Sequence, residues 1–344
     1  MDDRRSPARS AGLGAIAFIA TLILLAGLVL GVGGRAPGSA AGPSPSIVTG
    51  GGGGEPSAAL TPVPAGESPS VPPPAPSASG DPVLVGAGDI ASCNLDADEA
   101  TARLLDGIAG TVFTAGDNAY EDGSTGQYAD CYGPTWGRHK DRTRPVPGNH
   151  DYQTRDAAGY KAYFGEAATN SDGRTWYSFE LGTWHIVMLD SNCRAAGGCD
   201  PASDQGRWLA ADLAASTASC TLAIWHHPRF TSGEHGNDES VAPFWQALYD
   251  ADADVIVNGH DHDYERFAPQ SPNGVEDRAR GIREFVVGTG GASLRAFKQP
   301  VANSELRVEQ YHGVIKLTLH DGSYEWAWLP TTGPVSDMGS ARCH

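Results

Sequence analysis

Residues 111–120 read TVFTAGDNAY, a strand-forming run that meets a glycine, an aspartate and an asparagine and closes on a tyrosine. A short apolar run of this length suits a buried strand, and small polar residues after it mark a loop. The pattern recurs in PVLVGAGDI (82–90), RPVPGNHD (144–151), WHIVMLDSN (184–192), CTLAIWHHP (220–228), ADVIVNGHDHD (253–263) and EFVVGTGG (284–291). Between such runs, DADEATARLLDGIAG (96–110) and SDQGRWLAADLAAS (203–216) carry apolar residues at helical spacing after capping aspartate or serine. Strands alternating with helices predict an α/β domain, in which ligands collect beyond the carboxyl ends of the strands. The last runs, GVIKLTLHDG (313–322) and SYEWAWLP (323–330), predict an antiparallel hairpin turning at Asp321-Gly322.

Upstream of this domain the composition changes. Residues 1–10 hold Arg4, Arg5 and Arg9, and residues 11–34 carry no charge, a stretch long enough to cross a hydrocarbon layer as a helix. The positive charge before it keeps the short tail in the cytoplasm and puts the rest outside. An uncleaved membrane anchor is favoured over a cleaved signal peptide because the apolar run is long, although Gly38-Ser39-Ala40 offers a cleavage site. Residues 35–80 are nearly all Gly, Pro, Ser, Ala and Thr, with too little apolar side chain to offset the entropy of ordering, and form a tether. The domain then spans 81–335, and 336–344 is a tail containing Cys343.

With 24 basic against 41 acidic residues and a net charge of −17, the chain repels polyanions, so nucleic acid is not expected as a partner. Oligomeric state is not legible in the sequence. All six cysteines lie in the exported part, where disulfides persist. Cys193 and Cys199 enclose a short loop suited to local closure. Cys93 and Cys131 follow neighbouring motifs and are paired on that ground, which leaves Cys220 with Cys343; six cysteines alone do not determine connectivity.

Five loop motifs carry the chemistry: Gly88-Asp89, Gly116-Asp117-Asn118-Ala119-Tyr120, Gly148-Asn149-His150-Asp151, Trp225-His226-His227-Pro228 and Gly259-His260-Asp261-His262. Carboxylate, amide oxygen and imidazole are ligands for first-row metals, and two such metals need a bridging carboxylate and several further donors. Glycine before a ligand is expected to let the backbone turn sharply at the strand end. Any one of these motifs is an ordinary loop; all five in order are specific. No G-x-S-x-G elbow and no phosphate-binding G-x-x-x-x-G-K-[ST] loop occurs.

In this order and spacing the set resembles the signature blocks of the purple acid phosphatases, a branch of the calcineurin-like metallophosphoesterases, and GHDHDYER (259–266) is similar to that family's GHxHxYER. The resemblance covers most of residues 84–292 and implies a four-layer αββα sandwich of two mixed sheets. It implies that Asp89, Tyr120 and His262 hold one metal, that Asn149, His226 and His260 hold the other, and that Asp117 bridges them. His150 falls where the family binds phosphoryl oxygens or protonates the leaving group, and His235 matches an outer-shell histidine. His227 is the alternative to His226, which the proline two positions on favours. The implied activity is hydrolysis of a small phosphate monoester by a metal-activated hydroxide. A phosphodiesterase or nucleotidase on the same core, and a non-catalytic anion-binding module, are the competing readings.

Many relatives in the wider superfamily begin D-x-H, whereas Asp89-Ile90-Ala91 lacks that histidine. Tyr120 stands where the purple acid phosphatases place a tyrosinate. A phenol with a pKa of about 10 ionises only beside a strongly acidic cation, so Fe(III) paired with Zn, Mn or Fe(II) is the expected metal content; the alternative is that Tyr120 only packs. For His139, His185, His312, His320 and His344 no partners are visible in sequence, and the basic run 138–144 reads as a solvated face.

The orientation is open to test. Protease added to intact cells should release a soluble, active fragment containing residues 81–344. Protection until the cells are broken would reverse the topology.

Overall fold

The computed structural model describes residues 80–333 and 337–344. The apolar segment 11–34 and the tether up to residue 79 lie outside these residues; among the described residues no helix is long and apolar enough to cross a membrane.

Two mixed sheets stack against each other. In the first, the strand order is Asp337–Arg342, Ser323–Pro330, Gly313–His320, Val83–Ala87, Thr111–Ala115, Thr143–Val146. Its last three strands are parallel and its first three antiparallel. The second runs Ser304–Val308, Tyr264–Phe267, Arg283–Val287, Val255–Asn258, Cys220–Ile224, Trp184–Met188, Tyr177–Leu181, with four central parallel strands and antiparallel edges. Each apolar run before the hairpin that was singled out in the sequence became one of the parallel strands. Tyr177–Leu181, Tyr264–Phe267 and Ser304–Val308 carried weaker patterns, as edge or mixed positions do.

The central strands of the second sheet are buried on both faces. Ile186, Met188, Leu222, Ile224, Val255, Val257, Phe285 and Val287 pack into the core between the sheets. Their alternates Val187, Ala223, Ile256 and Val286 pack with Leu209, Phe244, Trp245 and Leu248 of helices Asp204–Ala215 and Ala242–Asp250. Strict alternation between two apolar layers explains why these runs read as continuously hydrophobic. Helix Ala97–Asp106 contributes Ala102 and Leu105 to the core on the first sheet's side. Ser203 Oγ accepts from Gly206 N at 3.0 Å and caps the second of the helices anticipated from sequence.

The hairpin forms with His320 opposite Ser323 and Gly322 at φ 69°, the left-handed conformation that favours glycine. Residues 337–342 are not a tail beyond the domain but the edge strand of the first sheet. Asp337 explains their recruitment. Its carboxylate accepts from Tyr264 Oη and Arg266 Nε at 2.7 Å and from Trp326 Nε1 at 3.1 Å, tying one sheet to the other. Short polar strands such as DMGSAR show no apolar periodicity, so only this long-range pairing defines them.

The three disulfides are Cys93–Cys131, Cys193–Cys199 and Cys220–Cys343, as the loop arguments proposed. The last closes a separation of 123 residues and the second only 6, which in a chain-entropy account correspond to about 5 and about 2 kcal/mol. Denaturant unfolding should therefore show Cys220→Ser with Cys343→Ser losing clearly more stability than Cys193→Ser with Cys199→Ser. Equal losses would mean that loop closure is not what these bonds contribute.

Candidate metal centre

Loops from the carboxyl ends of both sheets meet at one edge. Gly88 N donates to Val287 O at 2.8 Å, joining a strand of the first sheet to one of the second, and Asp89 N donates to Gly116 O at 3.0 Å. Gly259 N likewise reaches His226 O at 3.0 Å. These backbone bonds bring in four of the five motifs, and His150 N, which donates to Asp117 Oδ1 at 2.7 Å, ties in the motif at 148–151.

Three of the candidate ligands themselves adopt left-handed backbone: Asp89 at φ 59°, Asp117 at φ 49° and His260 at φ 73°. For residues with a Cβ this costs about 1–2 kcal/mol each and is maintained by surrounding contacts. The expectation that the preceding glycines provide the turn holds for Gly116, at φ 86°, but not for Gly88, Gly148 or Gly259. Those are glycines for want of space. A Cβ on Gly88 would stand 2.8 Å from Ala115 O, one on Gly259 would stand 2.6 Å from Asp89 Oδ2, and one on Gly148 would collide with Asp117 Oδ1.

Each buried aspartate divides its two oxygens between loop and site. Asp89 Oδ2 accepts from His260 N at 2.7 Å while Oδ1 accepts from Tyr120 Oη at 2.8 Å and lies 3.3 Å from His262 Nε2. Asp117 Oδ1 accepts from His150 N at 2.7 Å. Its Oδ2 lies 3.1 Å from Tyr120 Oη and 3.3 Å from His226 Nε2. On the His226 side, Nε2 stands 3.1 Å from Asn149 Oδ1 and 3.2 Å from His260 Nδ1. All seven residues named from sequence thus converge as two groups that share one oxygen of Asp117.

The donor set fits cations. His226 Nδ1 faces the carbonyl of Ala115 at 2.8 Å and His262 Nδ1 that of Ser293 at 2.7 Å, so each ring carries its proton there and turns the Nε2 lone pair inward. Carboxylate, amide and imidazole lone pairs then face one another with too few protons between them, an arrangement a positive charge relieves. Without a metal, a proton takes that place. Burial alone would lower the pKa of His226, but the Asp117 carboxylate outweighs it and raises the value to about 9. Burial would raise Asp117, yet His226 holds it well below the usual carboxylate range. Burial and the Asp117 and Asp89 carboxylates push the Tyr120 phenol far above its ordinary value, so it donates to both. Burial and the neighbouring His226, His227 and His235 hold His260 neutral.

His150 and His235 lie on opposite rims. His150 Nδ1 meets Glu121 O at 2.5 Å, its ring lies 4.4 Å from that of Tyr120, and Nε2 is 4.0 Å from Asp117 Oδ2. The His235 ring lies 4.1 Å from that of His260, with Nδ1 2.9 Å from Asp261 Oδ1 and Nε2 3.0 Å from Arg295 Nη1. Arg295 was not legible in the sequence, because it belongs to no motif and reaches the rim only through its backbone bond to His262 O at 3.0 Å. Asp151 was noted only as a neighbour. Its buried carboxylate accepts from Gly148 N, Asn118 Nδ2 and Tyr128 Oη at 2.9, 2.9 and 2.6 Å, bracing the loop that carries Asn149 and His150.

The remaining histidines have partners elsewhere: His139 with Asp106, His185 between Glu180 and Asp212, His312 with Ala292 O, His320 with Asp81 and His344 with Asp254. In the basic run, Arg138 pairs with Glu99 and Asp106 of the first helix.

The calcineurin-like phosphoesterase profile matches residues 83–264, more than half of the 344-residue chain and all seven converging residues. Purple acid phosphatase 21 of Arabidopsis thaliana is 31% identical over 256 residues, 63% of this chain and 57% of that protein. An uncharacterized Mycobacterium tuberculosis protein is 29% identical over 185 residues, 43% of this chain and 35% of its own. The chain spans about half the length of the curated relatives it matches. Among solved structures, purple acid phosphatase PPD1 from yellow lupin (Lupinus luteus) seeds shares the fold at a TM-score of 0.62 and 18% identity, over 77% of this chain and 54% of that one. Similar to purple acid phosphatases in sequence and in fold, this chain belongs to the calcineurin-like phosphoesterase family.

Proposed function

We propose that the protein hydrolyses phosphate monoesters at a dinuclear metal centre. The observation that carries this reading is the single Asp117 oxygen shared between a Tyr120 and Asp89 side and a His226 side. Asp89, Tyr120 and His262 would hold one ion, Asn149, His226 and His260 the other, with Asp117 between them. A bound pair of cations supplies Lewis acidity toward phosphoryl oxygens and acidifies water at the site. His150, whose Nδ1–H donates to Glu121 O, needs a second proton on Nε2 to bind a phosphoryl oxygen or to protonate the leaving-group oxygen. His235, tied to Asp261 and Arg295, orders the opposite rim. Two buried carboxylates beside Tyr120 oppose its ionisation, so a tyrosinate there calls for a strongly charged cation. Fe(III) is therefore the preferred ion on that side, with Zn, Mn or Fe(II) on the other.

Purified residues 81–344 supplied with iron, zinc or manganese should turn over para-nitrophenyl phosphate, and chelation should stop it. Asp117→Ala should lose metal and nearly all activity, whereas His235→Ala, which leaves every ligand in place, should cost about 10–100-fold. Equal losses at full metal content in both variants would overturn the assignment of Asp117.

Iron-loaded protein should show a visible tyrosinate-to-iron charge-transfer band that Tyr120→Phe removes. A colourless, iron-free and fully active preparation would sink the Fe(III) reading and leave the phosphoesterase reading intact.

A further inference from the structure

Behind the loop that carries Asn149 and His150 stands a buried tyrosine that belongs to none of the five motifs. The hydroxyl of Tyr128 donates to Asp151 Oδ1 at 2.6 Å. The other oxygen of that carboxylate, Oδ2, accepts from Gly148 N and Asn118 Nδ2 at 2.9 Å and from Asn118 N at 3.3 Å. Oδ2 thereby fastens the residue before Asn149 to the residue after Asp117. Oδ1 has one donor among the described residues, and it is Tyr128. A buried carboxylate oxygen without a donor is costly, so the phenol fixes the orientation in which Oδ2 meets the two loops.

Packing holds the ring where the hydroxyl is used. It stacks on Tyr163 with centroids 4.9 Å apart and meets Phe164 edge-on at 5.8 Å. Its backbone opens the turn Tyr128–Tyr132, in which Gly133 N reaches Tyr128 O at 2.8 Å, a wide helical turn of a kind that is rare and recurs at functional sites. Cys131 of the same turn is bonded to Cys93, and Ser92 beside it pairs with Tyr120 in a short parallel ladder. The turn is thus tied to the strand that carries Tyr120 as well as to Asp151. Tyr132 supplies a contrast. It is fully buried in the same cluster, with its ring 5.6 Å from that of Tyr128, and its hydroxyl has no hydrogen-bond partner among the described residues. Of these two phenols, only Tyr128 reaches a carboxylate of the site.

We propose that Tyr128 is a positioning residue for the Asn149 half of the metal centre: acting through Asp151, its hydroxyl holds the Asn149 amide in the place from which it shares a cation with His226 and His260. This rests on the dinuclear reading above. Among the described residues Asp151 makes no hydrogen bond to Asp89, Tyr120 or His262, so the influence of Tyr128 falls on one of the two ions.

Stepwise zinc titration of the full-length, metal-stripped protein tests this, with para-nitrophenyl phosphate turnover alongside. Tyr128→Phe, which removes one oxygen and leaves the ring, should raise one of the two dissociation constants by about tenfold and leave the other within about twofold, and excess zinc should restore turnover. Asp151→Asn should weaken the same ion, and adding Tyr128→Phe to it should change little further, because the hydroxyl acts through that carboxylate. Tyr132→Phe should bind both ions as the wild type does. Unaltered zinc binding in Tyr128→Phe, equal weakening of both ions, the same loss in Tyr132→Phe, or additive losses with Asp151→Asn would overturn the proposal, while two-ion binding and turnover by the wild type uphold the phosphoesterase reading. A wild type that binds no zinc and turns over no ester would remove both.

Discussion

The rest of the site depends on the buried carboxylate of Asp117. One of its oxygens is committed to the backbone of His150 and the other is shared between Tyr120 and His226. A fully buried anion is expensive unless something positive compensates it. In the metal-free protein the raised proton affinity of His226 provides that compensation, and cations can replace it. The left-handed backbone of Asp89, Asp117 and His260 and the glycines squeezed beside them follow from bringing lone pairs from both sheets to one point.

The two-sheet architecture makes that convergence possible. Parallel strands end at the same edge, so loops far apart in sequence become neighbours; Asp89 Oδ2 and His260 N are 171 residues apart. Apolar layers on both faces of the second sheet, together with Asp337 reaching across to Tyr264 and Arg266, hold the strand ends against each other. Second contacts then orient the ligands. Backbone carbonyls settle the tautomers of His226 and His262, and Asp151 braces the loop between Asn149 and the strand before it. Such outer partners decide whether a ligand set is preorganised or merely nearby.

Two histidines flank the His260 ring, His235 at 4.1 Å and His227 at 4.4 Å. On one side His235 is already engaged by Asp261 and an arginine that is itself paired. On the other, His227 and Arg194 face open space beside the centre. In a chain of net charge −17, Arg194 stands out as a cation with no carboxylate partner among the described residues.

The parallel strands, the two helices, the hairpin and, through the family resemblance, the identity of the converging residues were legible in the sequence; of the two expected caps Ser203 forms, whereas Asp96 makes no capping side-chain bond. Local periodicity encodes the strands and helices, and the five ordered loop motifs carry the carboxylate, amide and imidazole groups that converge. Tertiary structure alone decided the rest. That Asp117 shares one oxygen, that Gly88, Gly148 and Gly259 are needed for space and not for turning, that 337–342 is a strand, and that backbone carbonyls face Nδ1 of His226 and His262 all depend on atoms brought together from distant parts of the chain. Local sequence pattern carries no information about such contacts, because a side chain's charge, tautomer and available room are set by its neighbours in space.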